Sequence, residues 1–230
     1  MIHRGPSMPC VGAESHGING TVDDAERERV EAILEYWFGA LEGPHDVDPS
    51  KNALWWAGGA AIDAEIRERF GELVTRARAG ELDHWAESPR PALALVILLD
   101  QFTRNLGRGT AEAFAGDAAA LRVTLRALER GFDQQLRPVE RGFLCMPLMH
   151  AEDREMARRS LEVFARLAKE VAELGLEGHP DFHPSAVTHA EIVERFGRYP
   201  HRNPLLGREP TPEETAFLAD GGPSFGQSKQ

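Results

Sequence analysis

At 230 residues and 42% hydrophobic, the chain has enough apolar material for one domain with a real core. Its formal net charge of -11 argues against general nucleic-acid binding, which needs a net basic face, and no apolar run approaches the roughly 20 residues of a membrane span. The two cysteines, Cys10 and Cys145, exclude a disulfide framework and a four-cysteine zinc site and fit a reducing cytoplasm.

Residues 1 to 20 have no apolar segment like a secretory leader and are expected to be disordered. A capping-box-like Thr21 and Asp24 then open an amphipathic helix carrying Val30, Ile33, Leu34, Trp37, Phe38 and Leu41. After the loop EGPHDVDPS, Trp55, Trp56, Ile62, Ile66, Phe70, Leu73 and Ala77 mark a second helix closing at Gly80. Ser88-Pro-Arg-Pro starts a third, whose ALALVILL from Ala92 to Leu99 is apolar on every face and therefore predicts the buried central helix. Asp100, Gln101, Arg104 and Asn105 continue it without a break.

Gly107 and Gly109 end that helix, and Thr110 can cap the next, which carries Phe114, Ala118, Leu121, Leu125 and Leu128. Pro138 to Leu148 is expected to be a short helix interrupted by Pro147, followed by a long one from about Ala151 to Leu174. Ser185 to Phe196 forms another. Thr211-Pro-Glu-Glu214 is a strong helix start, and residues 220 to 230 are expected to be a loose tail. The glycines fall between helices and no long stretch alternates with period two, so the fold class is all-α, with one helical domain over 21 to 219.

Polar groups stand out against this frame. Asp100 and Arg104, like Gln101 and Asn105, lie one turn apart directly after eight apolar residues. Buried charges there require partners, so the pair either locks helices together or walls a pocket. His150, Glu152 and Asp153 follow in MPLMHAED, where Glu152 and Asp153 suit a helix N-terminus and His150 has no such explanation. The segment RFGRYPHRNPLLGR, from Arg195 to Arg208, holds four arginines and no acid. Arginine forks suit carboxylates and phosphates, and those carboxylates are either internal or a ligand's.

Recognisable catalytic and cofactor motifs are missing. His150-Ala-Glu152 matches half of a zinc-deaminase signature, but no cysteine follows position 145 to complete it. No spacing demands a metal site, although His150, His189, His201, Asp100 and Glu152 are the residues from which one would be built, and no cofactor is expected.

DQFTRNLGRGT from Asp100, PLMHAED from Pro147 and RFGRYPHRN from Arg195, together with EYWFG from Glu35 and DAEIRERF from Asp63, resemble the bacterial family catalogued as domain of unknown function 924. The resemblance runs from about residue 30 to 218. It implies an all-helical fold of antiparallel hairpins, similar to tetratricopeptide-repeat proteins, and brings no established activity. The motifs single out the same polar residues as the helical pattern does.

Three functions remain open at this level. In the first, a pocket binds an anionic small molecule or a peptide carboxylate through Gln101, Arg104, Asn105, Arg195, Arg198, Arg202 and Asn203. The second is a hydrolase-like enzyme with His150 or His201 as base and Asp100 or Glu152 as its orienter. In the third, a scaffold, the ion pairs are structural and a partner binds elsewhere. Oligomeric state is not legible.

Overall fold

The computed structural model describes residues 22–226, and among them there are helices and no strands. The expected leader and Thr21 lie outside the described residues. Helix α1, Asp24–Phe38, is capped by Asp23, whose carboxylate accepts from the Glu26 N–H at 2.7 Å while the Glu26 side chain reaches back. It buries Val30, Ile33, Leu34, Trp37 and Phe38.

The expected second helix is split. A five-residue π turn, Ala53–Ala57, carries the two tryptophans, and α2 begins afresh as Ala60–Arg78. Between them Gly58 and Gly59 take φ of 61° and 128°, a backbone that side-chain-bearing residues rarely adopt. A Cβ on Gly58 would also come within 2.9 Å of the Arg108 guanidinium. The break frees Trp55 and Trp56 from the axis of α2.

Helix α3, Pro89–Val96, runs without interruption through a π turn, Ile97–Phe102, into the short α4, Thr103–Leu106. All eight residues from Ala92 to Leu99 are fully buried, as the all-round apolar pattern predicts. The π turn is the departure from a regular helix. The Thr103 N–H reaches back to the Leu98 carbonyl, and its hydroxyl donates to the same oxygen at 2.9 Å. Such turns re-aim side chains and concentrate at functional sites; here Asp100, in its middle, is fully buried.

Helix α5, Asp117–Glu129, starts against that turn, because a Cβ at Gly116 would collide with the Leu99 carbonyl. Helix α6, Pro138–His150, continues through Pro147 instead of being interrupted by it. Pro147 lies in the last turn, so little helix remains beyond the hydrogen bond it forfeits. The long α7, Arg154–Glu173, is capped by Asp153, and α8, His183–Phe196, ends on Gly197 at φ 70°. Helices α6, α7 and α8 pack as successive neighbours, and α3 contacts α1, α5 and α6.

A 3-10 turn, Pro200–Arg202, and the short α9, Asn203–Leu206, lead to α10, Pro212–Ala219. Thr211 and Glu214 form the capping box their spacing predicts. Edge-to-face contacts among Trp37, Phe38, Phe102 and Phe143, with ring centroids 5.4 to 5.5 Å apart, hold α1 to the central and α6 helices. Cys145 is fully buried, and burial pushes its thiol up to about 12, so it is an inert core residue. No helix of the described residues is long and apolar enough to cross a membrane.

Candidate functional site

A cavity of about 550 Å³ opens where the tryptophan-bearing π turn, the end of the central helix, α6, α8 and the 3-10 turn meet. Its lining includes the rings of Trp37, Trp55, Trp56, Phe114, Phe182 and Phe225. Trp56 is 55% exposed although its neighbour Trp55 is buried. Two adjacent tryptophans cannot share one face of a helical turn, and that was the signal in the sequence that one of them leaves the core. Phe225 belongs to the expected tail, yet its ring stacks on His189 at 4.0 Å between centroids, with φ 50° at Phe225.

The polar floor is built on Asp100. Its Oδ1 accepts from His150 Nδ1 at 2.8 Å and lies 3.0 Å from Arg104 Nη1, while Oδ2 accepts from Gln101 Nε2 at 2.6 Å. Burial alone would raise the Asp100 carboxyl, but the Arg104 guanidinium and the His150 ring hold it well below the usual carboxylate range. Burial pushes the His150 imidazole below its ordinary value, aided by Arg104 and opposed by Asp100. An ionised carboxylate beside a neutral ring leaves one arrangement: Nδ1 carries the proton and Nε2 keeps its lone pair.

His189 is fixed in the same way by its backbone. Its Nδ1 lies 2.7 Å from the Ser185 carbonyl, which only accepts, so Nε2 is again unprotonated. Burial, with His150 next in effect, takes His189 down to about 3, and burial, with Arg202, does the same for His201. The His150 and His189 rings are 5.9 Å apart. Among the described residues no three His, Cys, Asp or Glu side chains converge as metal ligands.

The cavity arginines are charge-compensated. Arg104 forks onto Asp117 at 2.8 and 3.2 Å, Arg202 donates to Asp117 at 3.1 Å and to the His150 carbonyl at 3.0 Å, and Arg108 forks onto Asp63 at 2.8 and 3.0 Å. The Arg202 guanidinium also lies between the Tyr199 and Phe114 rings, 4.4 and 4.5 Å from their centroids. Asn105 donates to Asp63 at 2.8 Å.

Of the residues expected at one site, Gln101, Arg104, Asn105, His150, His201 and Arg202 line the cavity, with Asp100 directly behind. The others are held elsewhere by charged partners that no local pattern revealed. Arg195 pairs with Glu213 on the exposed face at 2.8 Å, and Arg198 pairs with Glu214 at 2.6 and 2.8 Å. Asn203 donates to that same Glu214 at 3.2 Å. Glu152 accepts a two-pronged bond from Arg208 at 2.6 and 2.9 Å and a third from the Tyr199 N–H at 2.7 Å. Only His201 and Arg202 of the arginine-rich segment therefore reach the cavity.

The sequence profile of a bacterial protein family of unknown function, DUF924, matches residues 33–222. A solved structure of a protein of unknown function from Agrobacterium tumefaciens is similar at 35% identity and a TM-score of 0.70, covering 85% of this chain and 99% of that one. No curated protein matches.

Proposed function

Because the chain belongs to the bacterial protein family of unknown function DUF924, its kinship brings no activity, and we propose from the site alone that it is an enzyme of small-molecule chemistry. Its proton acceptor is the Asp100–His150 pair. The observation that carries this is the pair's position: His150 Nε2 has no partner among the described residues and belongs to a ring lining a 550 Å³ cavity. Asp100 fixes the tautomer and orientation of the ring, the role a buried carboxylate plays behind a general base. A neutral imidazole with a free lone pair is ready to remove a proton near pH 7.

Binding of an anion through the arginines has less support, since each of Arg104, Arg108 and Arg202 already faces a protein carboxylate. A purely structural network explains those arginines but not the unpartnered imidazole nitrogen. Carbethoxylation by diethyl pyrocarbonate, which attacks unprotonated accessible imidazole nitrogens, tests the assignment. Peptide mapping by mass spectrometry should find His150 modified at pH 7, and Asp100→Asn should slow that modification by about tenfold as the ring loses its fixed tautomer. An unreactive His150 in the folded protein removes the proton acceptor from the account.

A further inference from the structure

The polar atoms left over at the cavity floor are unequal in kind. Among the described residues, His150 Nε2, His189 Nε2, Gln101 Oε1 and Asn105 Oδ1 have no hydrogen-bond partner, and none of them is sealed from the cavity. Each is an acceptor, because the opposite end of the same side chain is committed as a donor to Asp100, the Ser185 carbonyl or Asp63. Leftover donors are fewer near that floor and mixed in access: Trp37 Nε1 and Arg202 Nε are sealed, whereas Arg108 Nη1 and Trp56 Nε1, toward the rim, have no partner among the described residues and are not sealed.

Charge points the same way. Arg104, Arg108 and Arg202 are engaged by Asp100, Asp117 and Asp63, whereas the carboxylate of Asp181 lines the cavity with no cation within bridging distance among the described residues. It accepts only the His183 backbone N–H, at 3.0 Å. The electron-rich faces of Trp55, Trp56, Phe182 and Phe225 supply the remaining wall, a surface that attracts cations and covers apolar carbon.

We propose that the molecule taken by this cavity is a small organic amine, bound as its ammonium, with an aromatic or aliphatic body against the tryptophan wall and its N–H groups directed at the imidazole and amide acceptors. The proposal rests on the assignment of the cavity as the functional site and specifies what enters it. It departs from the expectation of an anion drawn to the arginine-rich segment: of the two kinds of partner left open for Arg195, Arg198, Arg202 and Arg208, each meets an internal carboxylate.

Four probes of nearly one shape separate the contributions: benzylammonium, benzyl alcohol, benzyltrimethylammonium and benzoate. Titration of the full chain, read by calorimetry and by tryptophan fluorescence, should give benzylammonium an affinity at least about tenfold above that of benzoate. Benzyltrimethylammonium, which keeps the charge and loses the N–H donors, should also bind about tenfold more weakly than benzylammonium. Asp181→Asn, a change at an exposed position, should weaken benzylammonium by about threefold and leave benzyl alcohol unchanged. Trp56→Ala should reduce the fluorescence response, leaving what Trp37 and Trp55 contribute. Equal affinity across the four, tighter binding of benzoate, or no binding of benzylammonium at about 10 mM overturns the proposal. A reactive His150 in a protein that ignores amines would defeat the ligand class alone, whereas an inert His150 would defeat the proton acceptor.

Discussion

Two clusters drawn from the same motifs treat their charges differently. Around Glu214, every group is closed on another: Arg198 forks onto it, Asn203 and the Thr211 N–H donate to it, and it is 2% exposed. Around Asp100 the carboxylate is equally satisfied, but its partners His150 and Gln101 each turn an unsatisfied acceptor toward a cavity. The first cluster is a brace and the second is a site. Charge density does not distinguish them, whereas the inventory of atoms left without partners does.

Acid should separate the two most strongly. The unfolded chain protonates each histidine near pH 6.5, while folded His189 and His201 are held down to about 3, so stability is complete above pH 6.5 and falls as pH drops toward 3. Between pH 7 and pH 5 each of the two should cost about 2 kcal/mol, read from urea midpoints, and His201→Gln should remove its own share of about 2 kcal/mol from the loss. Glu214, kept down to about 2 by the bond from Arg198, is ionised in the folded and the unfolded chain alike between pH 7 and pH 5 and adds almost nothing to the slope there; its stabilisation is lost only below about pH 4.5.

Glu214→Ala is the next largest effect. It leaves Arg198 and Asn203 without their acceptor and α10 without half its capping box, and should cost about 3 kcal/mol in denaturant unfolding. His150 reactivity should be unchanged in the folded variant, which marks the brace as separate from the site. Arg195→Ala should fall within about 0.5 kcal/mol of the parent, because its bond to Glu213 joins two exposed side chains.

The parts of this design that depend on neighbours in sequence were legible there. ALALVILL announced a helix buried on all sides, Thr211-Pro-Glu-Glu214 announced a helix start, and DQFTRN after an apolar run announced polar groups needing partners. Partner identity was not legible, since Arg198 to Glu214 and Arg202 to Asp117 span 16 and 85 residues. The π turn at Ile97–Phe102 has no composition of its own, and the acceptor character of His189 comes from a backbone carbonyl. The Gly58-Gly59 pair was a visible break that the spacing of apolar residues on either side concealed.

The most direct measurement is the tautomeric state of His150 and His189 by nitrogen-15 NMR on histidine-labelled protein, assigned with His150→Gln and His189→Gln. Both rings are predicted to be neutral at pH 7 with the proton on Nδ1, and Nε2 should show the shift of an unprotonated imidazole nitrogen. A proton on Nε2 of His150 at that pH would contradict the account, because the atom assigned to accept the substrate's proton would already carry one.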